Sequence, residues 1–153
     1  MKIKKSKILI VISSIILLLT SLFFLSPYST VLCKSKKHFI KHPESDLVFY
    51  EPGAKDYADK IAAFLPAAIE RVERVHGLPF EEQFKIYVCN SQKSFNEFTA
   101  NTSPSRYPIR GTALLGDVLI APSAFNFIGL DTHKKTLMHE LSHLHIQQKV
   151  GFF

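Results

Sequence analysis

The sequence predicts an α+β fold: an N-terminal transmembrane helix, then one small domain of short strands and amphipathic helices. Three observations carry that reading. An uncharged run of 18 residues, Ile8 to Leu25, follows Lys2, Lys4, Lys5 and Lys7. Beyond it, short β-rich stretches bounded by Gly and Pro alternate with longer stretches whose apolar residues recur at three- and four-residue spacing. The last of these helical stretches contains His139-Glu140-Leu141-Ser142-His143, two histidines one helical turn apart.

The apolar run is long enough to cross a bilayer and longer than a usual signal-peptide core. Ser26-Pro27-Tyr28 is a poor cleavage site, so an uncleaved signal anchor is expected, with a cleaved signal peptide as the alternative. Lys34, Lys36, Lys37 and Lys41 mirror the four lysines before the span, and only the terminal amine tips the count. The expectation is a single-pass membrane protein with its N-terminus cytoplasmic and its domain extracytoplasmic. The net charge of +6 belongs to this flank: eight of the 19 basic residues lie in residues 1–41, which hold no acid. The remaining residues carry 11 basic and 13 acidic side chains, which argues against a nucleic-acid partner. Phe39 among those lysines is read with the membrane-surface cluster rather than as a base-stacking residue. Cys33 and Cys89 are too few for a disulfide framework, and Cys89 in its apolar run reads as a buried strand residue.

Three segments follow: 1–25 as the anchor, 26–45 as a basic juxtamembrane linker, and 46–153 as the domain. Leu47 to Tyr50 reads as a strand closed by Glu51-Pro52-Gly53. From Ala54 to His76 the positions Tyr57, Ile61, Phe64, Leu65, Ala68, Val72 and Val75 mark an amphipathic helix stopped by Gly77 and kinked at Pro66. Phe84 to Cys89 alternates as a strand, and Ser91 to Phe98 reads as a short helix capped by Ser91 or Asn90. Asn101-Thr102-Ser103 is a formal glycosylation sequon. Ile109 to Leu115 and Val118 to Ala121 form a hairpin with Gly116-Asp117 as its two-residue turn. Arg106, Tyr107 and Arg110 beside it are candidates for contact with a substrate, no better marked than ordinary surface residues.

The final helix has Asp131 or Thr132 to cap it, Gly151 to end it, and Leu137, Leu141 and Leu144 to seat it on a core. At about 100° per residue, His139 and His143 lie about 40° apart, nearly opposite the leucines. Their imidazoles are therefore placed to hold one zinc ion at roughly 2 Å. Glu140, adjacent in angle, is placed as general base toward a metal-bound water whose pKa the ion lowers. Ile146 and Val150 extend the histidine face with apolar surface, which implies a cover. His145 points away from His143 and flanks the buried face, and His133 is similarly turned aside.

Thr136-Leu137-Met138-His139-Glu140-Leu141-Ser142-His143-Leu144 resembles the active helix of gluzincin-type zinc metallopeptidases, in particular the bacterial peptidase MA-like proteins. The metzincin pattern does not apply, because Ile146 and Lys149 stand where its Gly and third His belong. The resemblance extends back to about Val48 and implies a zincin-like N-terminal subdomain, a small mixed sheet with amphipathic helices and the H-E-x-x-H helix. It implies zinc ligation by His139 and His143, Glu140 as catalytic base, and Gly111 to Leu115 as a candidate for the sheet edge that pairs with an extended peptide substrate, with an ordinary packed hairpin as the equal alternative. In gluzincins the third ligand is a Glu on a later helix, so the resemblance also implies a domain truncated at its C-terminus. The expected function is a membrane-anchored zinc-dependent peptidase acting on peptides or proteins. Two alternatives stand beside it: a non-catalytic, membrane-tethered truncated relative, and a zinc-binding module whose shell a partner or second copy completes.

Overall fold

The structure is a computed structural model that describes residues 5–26, 29, 34–100, 108–125 and 131–151. Cys33, the Asn101 sequon, Arg106, Tyr107, Phe152 and Phe153 lie outside the described residues.

Helix α1 (Lys5–Leu25) contains an 18-residue stretch, Ile8–Leu25, of mean hydropathy 2.9, none of it buried against the rest of the chain. That is long and apolar enough to cross a membrane. Its hydroxyls turn back onto the helix: Thr20 Oγ1 donates to the Ile16 carbonyl at 2.6 Å and Ser21 Oγ to that of Leu17 at 2.8 Å. Those two polar side chains thus need no outside partner in hydrocarbon.

The domain is a mixed five-stranded sheet with helices on both faces. Its strands are β1 (Ile40–Lys41), β2 (Val48–Tyr50), β3 (Ile86–Val88), β4 (Gly111–Leu114) and β5 (Asp117–Ile120), in the order β1-β2-β3-β5-β4. The three central strands are parallel and in register, with Val48, Ile86 and Val118 forming one row across them. The edge strands β1 and β4 run antiparallel to their neighbours. Because strand side chains alternate, Val48, Ile86, Val88, Val118 and Ile120 form one buried face. Helices α2 (Lys55–His76) and α4 (Thr132–Val150) cover it through Ile61, Leu65, Val72, Leu137, Leu141 and Leu144. Tyr87 and Leu119 face the other way and meet Phe95 and Phe98 of helix α3 (Gln92–Thr99), with Phe39 and Cys89. The Cys89 thiol is free and buried, and that burial pushes its pKa up to about 12, which makes it inert.

Local chemistry sets the helix boundaries. Ser91 Oγ accepts the Ser94 N–H at the start of α3, as an N-cap serine should. Gly77 and Gly151 take left-handed conformations after α2 and α4, as expected. The backbone of α2 stays helical through Pro66, whose side chain is on the exposed side. Val75, expected in its buried stripe, is 75% exposed.

Two expectations need correction. The hairpin turn is Leu115-Gly116 rather than Gly116-Asp117: both have positive φ, +52° and +77°, and Asp117 already pairs with Leu114. Asp117 is drawn into β5 because its carboxylate accepts the Lys85 N–H at 3.0 Å and pairs with Lys36 at 2.7 Å. Part of the segment read as linker also belongs to the sheet. Lys41 and Ile40 pair with β2, Phe39 is buried, and buried His42 binds Asp59 at 2.9 Å. The lysines read as a membrane-surface cluster are largely occupied by the domain. Lys34 lies on the Phe98 ring and pairs with Glu97, Lys36 lies over Tyr87, and Lys41 pairs with Asp46.

Candidate metal centre

Helix α4 is held along its whole length, and this aims the histidines. Leu137, Leu141 and Leu144 are fully buried, which fixes its rotation against the sheet. Gln148, near its end, accepts the backbone N–H groups of Glu81 and Glu82 at 3.0 and 3.3 Å and donates to the Glu82 carbonyl. Lys149 adds an ion pair to Glu81 at 2.7 Å. A side chain on the opposite face of this helix therefore has little freedom to drift.

His139 and His143 occupy that face, and both are exposed. Their rings stand perpendicular with centroids 4.5 Å apart, and the two Nε2 atoms converge to 3.0 Å. Two nitrogens bound to one tetrahedral zinc at about 2.05 Å would stand about 3.3 Å apart. A small opening of the pair meets that spacing, which matches two of the four positions around such an ion. Without metal, the same approach requires one Nε2 to carry a proton and donate it to the other. Among the described residues no group of three His, Cys, Asp or Glu side chains surrounds such an ion.

Glu140 packs against β4 at Gly111. It is 8% exposed, and its carboxylate accepts the backbone N–H of Ala113 in β4. Burial raises its pKa above the usual carboxylate range. The pull of His139 and His143 and the hydrogen bond from Ala113 oppose that without cancelling it. A carboxylate so placed is a stronger base than one in water.

The neighbouring strand is the free edge of the sheet. In the β4–β5 ladder the Ala121 N–H donates to the Arg110 carbonyl. The alternating antiparallel pattern then turns the backbone polar groups of Gly111 and Ala113 outward, away from β5. Glu140 takes one of them. A groove of about 440 Å³ continues from His143 between β4 and the end of α4, lined by Ala113, Leu114, Leu115, Ile146 and Val150. Ile146 and Val150 are 48% and 57% exposed, so the apolar extension of the histidine face is real and lies open.

The other histidines are placed elsewhere. His145 is 1% exposed; its Nε2 bonds the Leu78 carbonyl at 2.9 Å and its ring stacks on His76. His133 stacks on Phe125, and its partial burial lowers its pKa. Neither joins His139 and His143, as their angular positions required. Arg110 lies immediately before β4. The motif gave no warning of how closely Gly111 approaches the helix. A glycine heading a strand, a usual mark of close backbone contact, was the available signal.

Compared with known protein families, characterised proteins and solved structures, the chain matches none.

Proposed function

We propose that the chain is a membrane-anchored, zinc-dependent peptidase-like protein of gluzincin type, hydrolysing peptide bonds with Glu140 as general base. The observation that supports this best is the juxtaposition on one helix of two convergent imidazoles with a buried carboxylate against a free sheet edge. His139 and His143 would hold the ion through Nε2. The chemistry a bound zinc supplies is polarisation of a carbonyl and acidification of water. Glu140 accepts the proton of the attacking water on a carboxylate oxygen and returns it to the leaving nitrogen. The groove beside His143, between β4 and the end of α4, receives a side chain of the peptide. On this reading the fold is a zincin-like subdomain, α1 is a signal anchor, and the domain works outside the cytoplasm on peptide or protein substrates.

A second reading is a zinc-binding module completed by a partner or another copy, without catalysis. Its support is the exposure of the histidine pair and the absence of a third donor among the described residues.

Hydrolysis of a quenched fluorescent peptide mixture by the full chain in detergent with zinc separates the two. The peptidase reading expects turnover that falls by about 10²-fold or more in Glu140→Gln while zinc affinity is kept. Equal turnover in the variant, or zinc uptake with no turnover at all, would refute it.

A further inference from the structure

Gly111 opens β4 directly beneath α4. It is not there for its backbone freedom, since it is absent from the positive-φ glycines of the chain. Space is the reason. A Cβ at Gly111 would sit 2.8 Å from Thr136 Cγ2, 2.9 Å from Glu140 Cγ and 3.3 Å from Glu140 Oε1. The first two distances are below ordinary carbon–carbon contact, so something would have to move. Thr136 is β-branched and stiff at χ1 on a helix. Glu140 Cγ cannot retreat without carrying its carboxylate off the Ala113 N–H. The two residues of β4 whose backbones face outward therefore both act on Glu140, one by lacking a side chain and one by donating a hydrogen bond.

We propose that Gly111 is a positioning residue for Glu140: the missing Cβ lets β4 approach closely enough for the Ala113 N–H to fix the carboxylate beside His139 and His143. This rests on Glu140 being the base, but the placement itself can be measured without any turnover. The motif alone puts a Glu near the ion; the strand decides which way its carboxylate points. Two other polar side chains of α4 are engaged elsewhere: Ser142 Oγ donates to the Met138 carbonyl, and Gln147 Nε2 donates to the Ala113 carbonyl.

The test is amide hydrogen exchange by NMR on the full chain in detergent micelles, comparing wild type, Gly111→Ala and Gly111→Ala/Thr136→Ser. The Ser substitution deletes the nearer of the two obstructing carbons and keeps the hydroxyl. In Gly111→Ala, exchange at Ala113 should rise about ten- to a hundredfold, as expected for loss of a hydrogen bond to a carboxylate. Exchange at Ile86–Val88 in the sheet centre should hold, and so should zinc affinity. The double variant should recover part of the Ala113 protection; should the single variant fail to fold, folding of the double variant with intermediate protection carries the same meaning. Unchanged exchange at Ala113, a uniform rise across the sheet, or no recovery on adding Thr136→Ser would overturn the proposal. Turnover is read separately: kcat should fall in Gly111→Ala with KM unmoved. A wild-type protein without turnover would count against the peptidase reading, while the exchange data would still decide the placement of Glu140.

Discussion

Glu51, at the end of β2, offers a sharp test of how the domain is tied together. Its side chain is about 5% exposed and gathers three donors. Oε2 accepts the Asn90 N–H at 2.8 Å, and Oε1 faces both Ser94 Oγ and His38 Nε2, the latter at 3.0 Å. One carboxylate thereby joins the segment before β1, the β3–α3 loop and the first turn of α3. Burial pushes its pKa up, but the hydrogen bonds from Ser94, Asn90 and His38 outweigh burial, and the net shift is downward. In Glu51→Gln the amide oxygen can still accept from Asn90 and its NH₂ can donate to Ser94 or His38. What is lost is the charge assistance, worth about 1 kcal/mol for each of two bonds, or about 2 kcal/mol in all. That corresponds to a Tm lower by roughly 8 °C for a domain of this size.

The pH dependence follows from the direction of the shift. A carboxyl with a depressed folded-state pKa contributes stability that is present above its unfolded value, near 4.5, and lost as pH falls through the lower folded value. Thermal unfolding of wild type and Glu51→Gln, followed by circular dichroism from neutral pH down to about pH 3, should show a gap that closes below roughly pH 4.5. A gap that stays constant with pH, or no gap at neutrality, would show that the charge on Glu51 does not hold these three segments.

Two further predictions concern turn chemistry and the histidines. Leu115 is 52% exposed and carries φ +52°, so Leu115→Asn should stabilise the domain by about 1 kcal/mol in urea unfolding, because Asn-Gly suits this turn and Leu does not. His145→Ala should destabilise by about 2–4 kcal/mol, through a lost hydrogen bond to Leu78 and a cavity beside Phe80, yet leave zinc affinity unchanged.

Much of the fold was legible because its determinants are local. The spacing from Ile61 to Val72, the glycines Gly77 and Gly151 and the Ser91 cap act within a turn or two of chain, and each lies where the pattern puts it. The stripe Leu137, Leu141, Leu144 likewise fixed which face of α4 the histidines occupy. What was hidden depends on contacts distant in sequence. β1 is two residues long and exists through β2, and the lysines around it are claimed by Glu97 and Asp117, which no local reading could connect to them. The hairpin turn moved by one residue because Asp117 has two long-range partners that hold it in the strand. The orientation of Glu140 was invisible for the same reason: H-E-x-x-H states the residue, whereas Gly111 and Ala113, nearly 30 positions earlier, direct it.

Zinc binding by the full chain, measured by isothermal titration in detergent for wild type, His139→Ala and His143→Ala, tests the proposed metal centre. The wild type should take up one zinc per chain. If zinc affinity of the size seen in four-ligand sites is shared among the donors, each substitution should weaken it by about 10²-fold, with little change in folding stability because both rings are exposed. Failure of the wild type to take up zinc, or uptake that is the same in both variants, would contradict it.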